Sequence, residues 1–310
     1  MSVYQSGLIP VSDLHSLYYE LWGNPDGIPY VFVHGGPGAG FGAKDARFFD
    51  PTRDHVLFYE QRGAGRSIPK NSLVENTTHE LIEDQKDLME ELGFESAHMF
   101  GGSWGSTLSL CFAIKYPEMV SSMILRGVFL GDKFGLEYHE GDGVRNHVPE
   151  EWDGLLDLAP SEEHQNLFTF YFEKFRDYTP ENQPYLEAWT RFILPLLPKP
   201  IPEDLSSLIA LNPEDFLPTL ELWYTENDCF LPDNYILDNI EKIKQIPTKI
   251  VHGRQDLVCP PISAWKLHKV LEDSEIFWVD SGHSKSNPAM ANTLTEIVDG
   301  LGLFGSDGLT

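Results

Sequence analysis

One serine in this chain stands in a setting built to expose a hydroxyl. Gly101-Gly102-Ser103-Trp104-Gly105 reads as G-x-S-x-G. Residues 96–100 before it have the apolar content of a short buried strand, and residues 106–116 after it have that of a helix. A serine at such a strand–turn–helix junction is a nucleophile elbow. The turn is so sharp that side chains at 101 and 105 would strike neighbouring backbone, and glycine leaves the Ser103 hydroxyl exposed above a sheet. The same five residues also fit a glycine-rich turn that merely contains a serine, so the groups that would act with Ser103 decide between the two.

A serine hydroxyl needs a base to become nucleophilic, and the base needs an acid to hold its tautomer. With this elbow the chain order is serine, then Asp or Glu, then His. Of eleven histidines, His283 lies in the short polar loop Asp280-Ser281-Gly282-His283-Ser284, just after the last strand signal, and is expected to be the base. For the acid, a strand ending at His252 runs into Gly253-Arg254-Gln255-Asp256. Asp256 is favoured; Asp280 is the rival by its nearness in sequence, and Asp228 is less well placed. The tetrahedral intermediate also needs donors for its oxyanion. The backbone N–H of Trp104, the residue after the nucleophile, is one; the glycine loop His34-Gly35-Gly36-Pro37-Gly38 supplies the other, from Gly36 or, second, Gly35. His34 reads as a hydrogen-bonding residue beneath that loop, with Gln61 and Arg62 bracing the neighbouring one.

These groups must be carried by a sheet. Residues 30–33, 55–59 and 123–125 are apolar runs that end at glycine-bearing loops, and residues 248–252 and 275–279 add two later strands. Strands alternating with helical stretches such as 78–92 predict βαβ units and a mostly parallel sheet. A last helix is expected over 288–301, with a frayed tail at 302–310. Between about 131 and 242 strand signals vanish. Phe168, Tyr171, Phe172 and Phe175, then Trp189, Phe192, Ile193 and Leu196, recur at helical spacing. That segment predicts a helical insertion whose aromatics form its own core, lying over the carboxyl ends of the strands as a cap.

The bulk properties bound the function. At 310 residues the chain can bury a sizeable core. With 22 basic and 48 acidic residues its net charge is -26, which argues against nucleic acid and anionic membrane surfaces as partners and favours cationic ligands only weakly. Three scattered cysteines, Cys111, Cys229 and Cys259, form neither a disulfide framework nor a zinc pattern. No signal peptide or bilayer-spanning run is apparent, so a reducing cytoplasm is the expected location.

Taken in order, these segments resemble the proline iminopeptidase family of α/β-hydrolases. The matching pieces are His34-Gly35-Gly36-Pro37-Gly38, Gln61-Arg62-Gly63-Ala64-Gly65-Arg66-Ser67, Asn76-Thr77-Thr78 and Gly101-Gly102-Ser103-Trp104-Gly105-Ser106-Thr107-Leu108. Leu125-Arg126-Gly127-Val128-Phe129-Leu130, Val251-His252-Gly253-Arg254-Gln255-Asp256 and Gly282-His283-Ser284 complete the set. The resemblance implies an enzyme that removes an N-terminal proline without metal or cofactor, with Ser103, Asp256 and His283 as its triad and Gly36 and Trp104 as oxyanion donors. It also implies glutamates that recognise the substrate's free amine. Thr225-Glu226-Asn227-Asp228-Cys229-Phe230 is similar to one such segment, which assigns that role to Glu226. A second, similar to Ala188-Trp189-Thr190-Arg191-Phe192-Ile193, has Ile193 in place of its glutamate; Glu187 or another acid would have to substitute.

The expectation is therefore an α/β-hydrolase fold, a mostly parallel sheet flanked by helices, with core segments 1–130 and 243–310 and a helical cap over 131–242. The expected activity is that of a serine exopeptidase on short peptides. The alternative is an esterase or amidase on small acyl substrates, which the apolar Ile193 favours. A binding protein on the same scaffold would have no need of an intact Ser, Asp and His set.

Overall fold

The computed structural model describes residues 3–197 and 199–304. Eight strands form one sheet: β1 (Val3–Pro10), β2 (Ser16–Gly23), β3 (Ile28–Val33), β4 (Asp54–Tyr59), β5 (Ala97–Gly102), β6 (Val120–Arg126), β7 (Thr248–Gly253) and β8 (Ser274–Val279). Their order is β1-β2-β4-β3-β5-β6-β7-β8; the first two pairings are antiparallel and the rest parallel. The sequence expectation lacked β1 and β2. In β2, Leu17, Tyr19 and Leu21 are buried and alternate with more exposed neighbours, the period of two expected of a strand with one covered face. β1 is an edge strand with largely exposed side chains, so it carries no such signal.

The strand order fixes where chemistry can sit. From β3 the chain crosses to one side to form β4 and then to the other to form β5, so β3 and β5 are neighbours whose connections leave in opposite directions. A crevice opens at the carboxyl ends of two such strands. The glycine loop at 34–38 follows β3 and Ser103 follows β5, so both border that crevice.

Helices cover both faces of the sheet. On one side α1 (Thr78–Glu91), α2 (Trp104–Lys115) and α11 (Pro261–His268) pack over Val31, Leu57, Met99 and Leu125. α2 buries every residue from Trp104 to Ile114, as a helix that is apolar all round must. On the other side α12 (Pro288–Phe304) sets Met290, Leu294 and Val298 against Tyr30, Phe58 and Phe100. This helix runs three residues beyond its expected end at 301; of the tail expected to fray, residues 305–310 lie outside the described residues. No helix among the described residues is long and apolar enough to cross a membrane.

Between β6 and β7 the chain is helical: α3 (Lys133–Glu140), α4 (Asp142–Arg145), α5 (Pro149–Leu156), α6 (Leu167–Arg176), α7 (Gln183–Leu196), α8 (Leu205–Leu211), α9 (Thr219–Glu226) and α10 (Tyr235–Asp238). Much of this segment closes on a core of its own. Trp152, Phe168, Tyr171, Phe175, Trp189 and Phe192 are buried against one another, with ring centroids of Phe168 and Trp189 5.0 Å apart and near perpendicular. Aromatic pairs favour this edge-to-face geometry. The aromatic spacing of 168–196 therefore reports packing within the segment.

Candidate active site

Ser103 has φ 57° and ψ −128°, a conformation that costs a non-glycine residue roughly 1–3 kcal/mol. The surrounding bonds hold it there. Its N–H donates to the Arg126 carbonyl at 2.8 Å, and its own carbonyl accepts from the Ser106 N–H and hydroxyl at 2.8 and 2.6 Å. The flanking glycines are required by contact: a Cβ on Gly101 would lie 2.3 Å from the Gly105 carbonyl oxygen, and one on Gly105 2.1 Å from the Val33 carbonyl oxygen. Trp104 begins α2, so its N–H is among the first-turn amides without an acceptor inside the helix.

The loops after β7 and β8 bring Asp256 and His283 together. His283 Nδ1 donates to Asp256 Oδ2 at 2.8 Å, while Asp256 Oδ1 accepts from the Val258 and Cys259 N–H groups at 3.0 and 2.9 Å. Burial alone would raise the Asp256 pKa, but His283, His252 and the Cys259 amide outweigh it and hold the carboxyl below its ordinary value. His252 steadies the same loop: Nδ1 accepts from the Val128 N–H at 3.1 Å and Nε2 donates to the Cys259 carbonyl at 2.9 Å. Asp280, the rival acid, instead accepts from the exposed Gln255 amide at 2.6 Å.

On its other side His283 turns Nε2 toward the Arg126 guanidinium, a donor that an imidazole nitrogen without a hydrogen can meet. Nε2 accepts from Arg126 Nη1 at 3.2 Å. Ser103, Arg126 and His283 border one cavity of about 320 Å³, together with Gly35 and Gly36. The Ser103 hydroxyl also stands within hydrogen-bonding reach of the Cys259 thiol, whose pKa burial drives well above the usual value.

The glycine loop is fixed from below. Gln61 N–H donates to His34 Nε2 at 3.0 Å, so His34 carries its hydrogen on Nδ1, which donates to the Gly35 carbonyl at 2.8 Å. Gln61 Nε2 donates to the His34 carbonyl, and its Oε1 accepts from the Trp104 indole at 3.0 Å. Gln61 thus ties the loop after β3 to the residue that follows Ser103. Burial lowers the His34 pKa to about 4, so it remains a neutral linker. Arg62 makes a paired contact with Asp84, at 2.6 and 2.7 Å, next to this brace.

The helical segment places its acids differently from the sequence expectation. Glu226 accepts from the Thr169 hydroxyl at 2.8 Å on α6, and it is absent from the lining of the cavities that reach Ser103. Glu187 accepts from Gln183 and Ser206, also away from Ser103. Glu221 is the carboxylate that lines the same cavities as the serine. It borders the 320 Å³ cavity, a smaller one of about 50 Å³ that also contains Ser103, and an outer one of about 350 Å³, and Gly36 borders all three. The reason is helical phase. Glu221 and Thr225 are four residues apart and share a face of α9, whereas Glu226 lies five residues on, about 140° round the helix.

Burial pushes the Glu221 carboxyl up to about 7. Its side chain nonetheless keeps 30% of its surface, and that surface faces the cavities. His139 of α3 lies 3.8 Å away, held neutral by burial that lowers its pKa to about 4. Ile193, in the position where the resemblance has a glutamate, also borders the 320 Å³ cavity and leaves that wall apolar. Sequence similarity pointed to Glu226 because a motif reports chain position; which face of α9 lies over the pocket is set by packing, so no local signal marks Glu221. Among the described residues no group of three or more His, Cys, Asp or Glu side chains is arranged to hold a metal ion.

Residues 29–285 match the model of the alpha/beta hydrolase fold, and the chain is a member of that class. Among solved structures, the esterase EaEST from Exiguobacterium antarcticum covers 96% of this chain and 100% of its own at a TM-score of 0.65 and 19% identity, a likeness of fold. Closer in sequence are a probable proline iminopeptidase of Leptolyngbya boryana, 38% identical across 96% of this chain and 94% of its own, and the proline iminopeptidase of Neisseria gonorrhoeae, 36% identical across 96% of each. Within the α/β-hydrolases, the chain belongs to the proline iminopeptidase family.

Proposed function

We propose that the protein is a serine aminopeptidase that releases N-terminal proline from short peptides. The observation that carries this reading is the strained Ser103 in one cavity with the His283–Asp256 pair, in a chain of this family. Ser103 Oγ attacks the carbonyl carbon of the first residue, and His283 Nε2 takes the hydroxyl proton. Asp256 holds the hydrogen on Nδ1 and stabilises the imidazolium. The oxyanion is met by the N–H groups of Gly36 and Trp104. The C–N bond breaks, and His283 returns the proton to the leaving amine. Water, giving its proton to His283, then attacks the acyl carbon; the Oγ–acyl bond breaks, His283 returns the proton to Ser103 Oγ, and the free amino acid leaves.

The helical segment acts as the cap over this site, and Glu221 is the group in it suited to a substrate ammonium. A carboxylate within a cavity makes a strong charge-assisted bond to a cation because little water competes. Binding the ammonium draws the Glu221 proton off and leaves an ion pair. Glu226 keeps an indirect part in this reading: with Asp228 and Glu137 it adds negative charge around Glu140, whose pKa burial and those neighbours raise to about 7. Three buried, unpaired cysteines suit a reducing compartment, and we place the enzyme in the cytoplasm.

Ile193 favours a second reading, an esterase or amidase on small acyl groups, because it leaves apolar the wall where a second carboxylate would stand. Turnover of prolyl and alanyl p-nitroanilides against p-nitrophenyl acetate separates the two. Prolyl p-nitroanilide is expected to be the best substrate. Ester hydrolysis without aminoacyl-anilide hydrolysis would overturn the peptidase reading.

A further inference from the structure

Arg126 ends β6 with its guanidinium buried in the protein. Its backbone carbonyl holds the Ser103 N–H, and its side chain reaches the other half of the site. Nη1 donates to His283 Nε2 at 3.2 Å and to the His283 carbonyl at 2.8 Å. The guanidinium lies flat against Gly102, where a Cβ would stand 2.5 Å from Nη2 and 3.0 Å from Cζ. The glycine before the nucleophile is therefore the space this cation occupies. A buried cation is costly unless something in the fold uses it, and here its hydrogen bonds go to His283, one to the ring and one to the backbone carbonyl.

We propose that Arg126 is a positioning residue that parks His283 as a neutral base, its Nε2 engaged by the guanidinium until substrate draws it to Ser103. This rests on the reading of Ser103 as nucleophile and His283 as base. Nε2 can accept from Arg126 only while it lacks a proton. Once it takes the serine proton, the contact sets donor against donor and cation against cation. The protonated imidazole must then turn its Nε2–H away from Arg126, toward the serine oxygen and the leaving amine. The guanidinium thus favours the orientation in which the imidazolium delivers its proton. The other groups facing this pair are Asp256 on Oδ2, His252 and Cys259 behind it, His139 from α3, and Lys285 with Asp45 beside Arg126. Of these Asp256 leads in favouring the cation, followed by Cys259 and Asp45.

Two experiments test this. In the first, kcat/KM for prolyl p-nitroanilide is measured from pH 5 to 9 for wild type, Arg126→Lys and Arg126→Gln. Losing the cation in Arg126→Gln is expected to move the acid limb upward by about one unit, and Arg126→Lys to keep it within a few tenths of wild type. A merely structural role would lower the profile by the same factor at every pH, and an unmoved limb in folded Arg126→Gln overturns the proposal. The second experiment needs no Arg126 variant. In histidine-selective ¹⁵N spectra of the free enzyme, Ser103→Ala is expected to leave the His283 Nε2 resonance in place, because Nε2 is bonded to Arg126. A resonance that moves on losing the Ser103 hydroxyl overturns it. Failure of the wild type to react with a fluorophosphonate at Ser103 would instead overturn the underlying reading of the site.

Discussion

The rim of the sheet and the helical segment above it contribute to the same cavity under different rules. At the rim the groups are held by backbone and by short, buried polar links. Ser103 sits in a turn that only its glycine neighbours permit, and Asp256 is gripped by two amides. Gln61 bonds both the His34 loop and the Trp104 indole. In the helical segment the corresponding choice is rotational: about 140° round α9 separates a carboxylate that lines the Ser103 cavity from one that meets Thr169. A rim of this kind sets the chemistry rigidly. A helical face can change its polar groups by single substitutions, so on the proposed reading the segment would set which acyl group is accepted.

The sharpest way to break this contrast is to remove the rim chemistry. Ser103→Ala is expected to lower kcat by about 10⁴–10⁶-fold, and Asp256→Asn by about 10⁴-fold through loss of the tautomer. Steady-state kinetics with prolyl p-nitroanilide reads both, and neither should change the melting temperature by more than a few degrees. Gly105→Ala tests whether backbone sets the rim. Its Cβ would meet the Val33 carbonyl oxygen at 2.1 Å, so a stability loss above about 3 kcal/mol is expected in urea unfolding. A near-neutral result would show that the elbow can relax.

Changes in the helical segment should be smaller and should discriminate among substrates. Glu221→Gln is expected to raise KM for prolyl p-nitroanilide by about 10–100-fold, the worth of one charge-assisted bond, and to leave p-nitrophenyl acetate within about twofold. The pH dependence has a definite sign. The Glu221 carboxyl titrates at about 7, so the anion that holds an ammonium is present above that and lost below it. KM for the anilide should therefore rise as pH falls from 8 to 6, whereas KM for the ester should stay flat. The smallest effect is reserved for Glu226→Gln, expected to change KM by less than about twofold, since its partner is a surface threonine. Equal losses at 221 and 226 would erase the distinction drawn from helical phase.

The same contrast explains what could be read in the sequence. Gly101, Ser103, Gly105, Asp256 and His283 were legible because steric exclusion and strand-end loops leave local marks in the chain. The six parallel strands were legible as apolar runs, and the alternation of Leu17, Tyr19 and Leu21 in β2 is a weaker mark of the same kind. β1 was not legible, because an exposed edge strand needs no apolar face. Glu226 was picked out by a run of similar residues, whereas the cavity is shaped by the rotation of α9 and by how α3 and α7 pack against it. His139, Ile193 and Glu221 meet only in three dimensions, and no local pattern marks such a meeting. Arg126 was visible only as part of a matching run. Its contact with His283 joins residues 157 apart in the chain.

The most direct test compares prolyl p-nitroanilide with N-acetylprolyl p-nitroanilide on the wild-type enzyme. The two share the scissile bond and the proline ring, and they differ in the ammonium that Glu221 would hold. The free-amine substrate is expected to show a kcat/KM at least about 100-fold higher, because a carboxylate built into the cavity is left unpaired by the blocked one. Equal rates on the two substrates would contradict an aminopeptidase and leave the rim as a hydrolase site without amine selection.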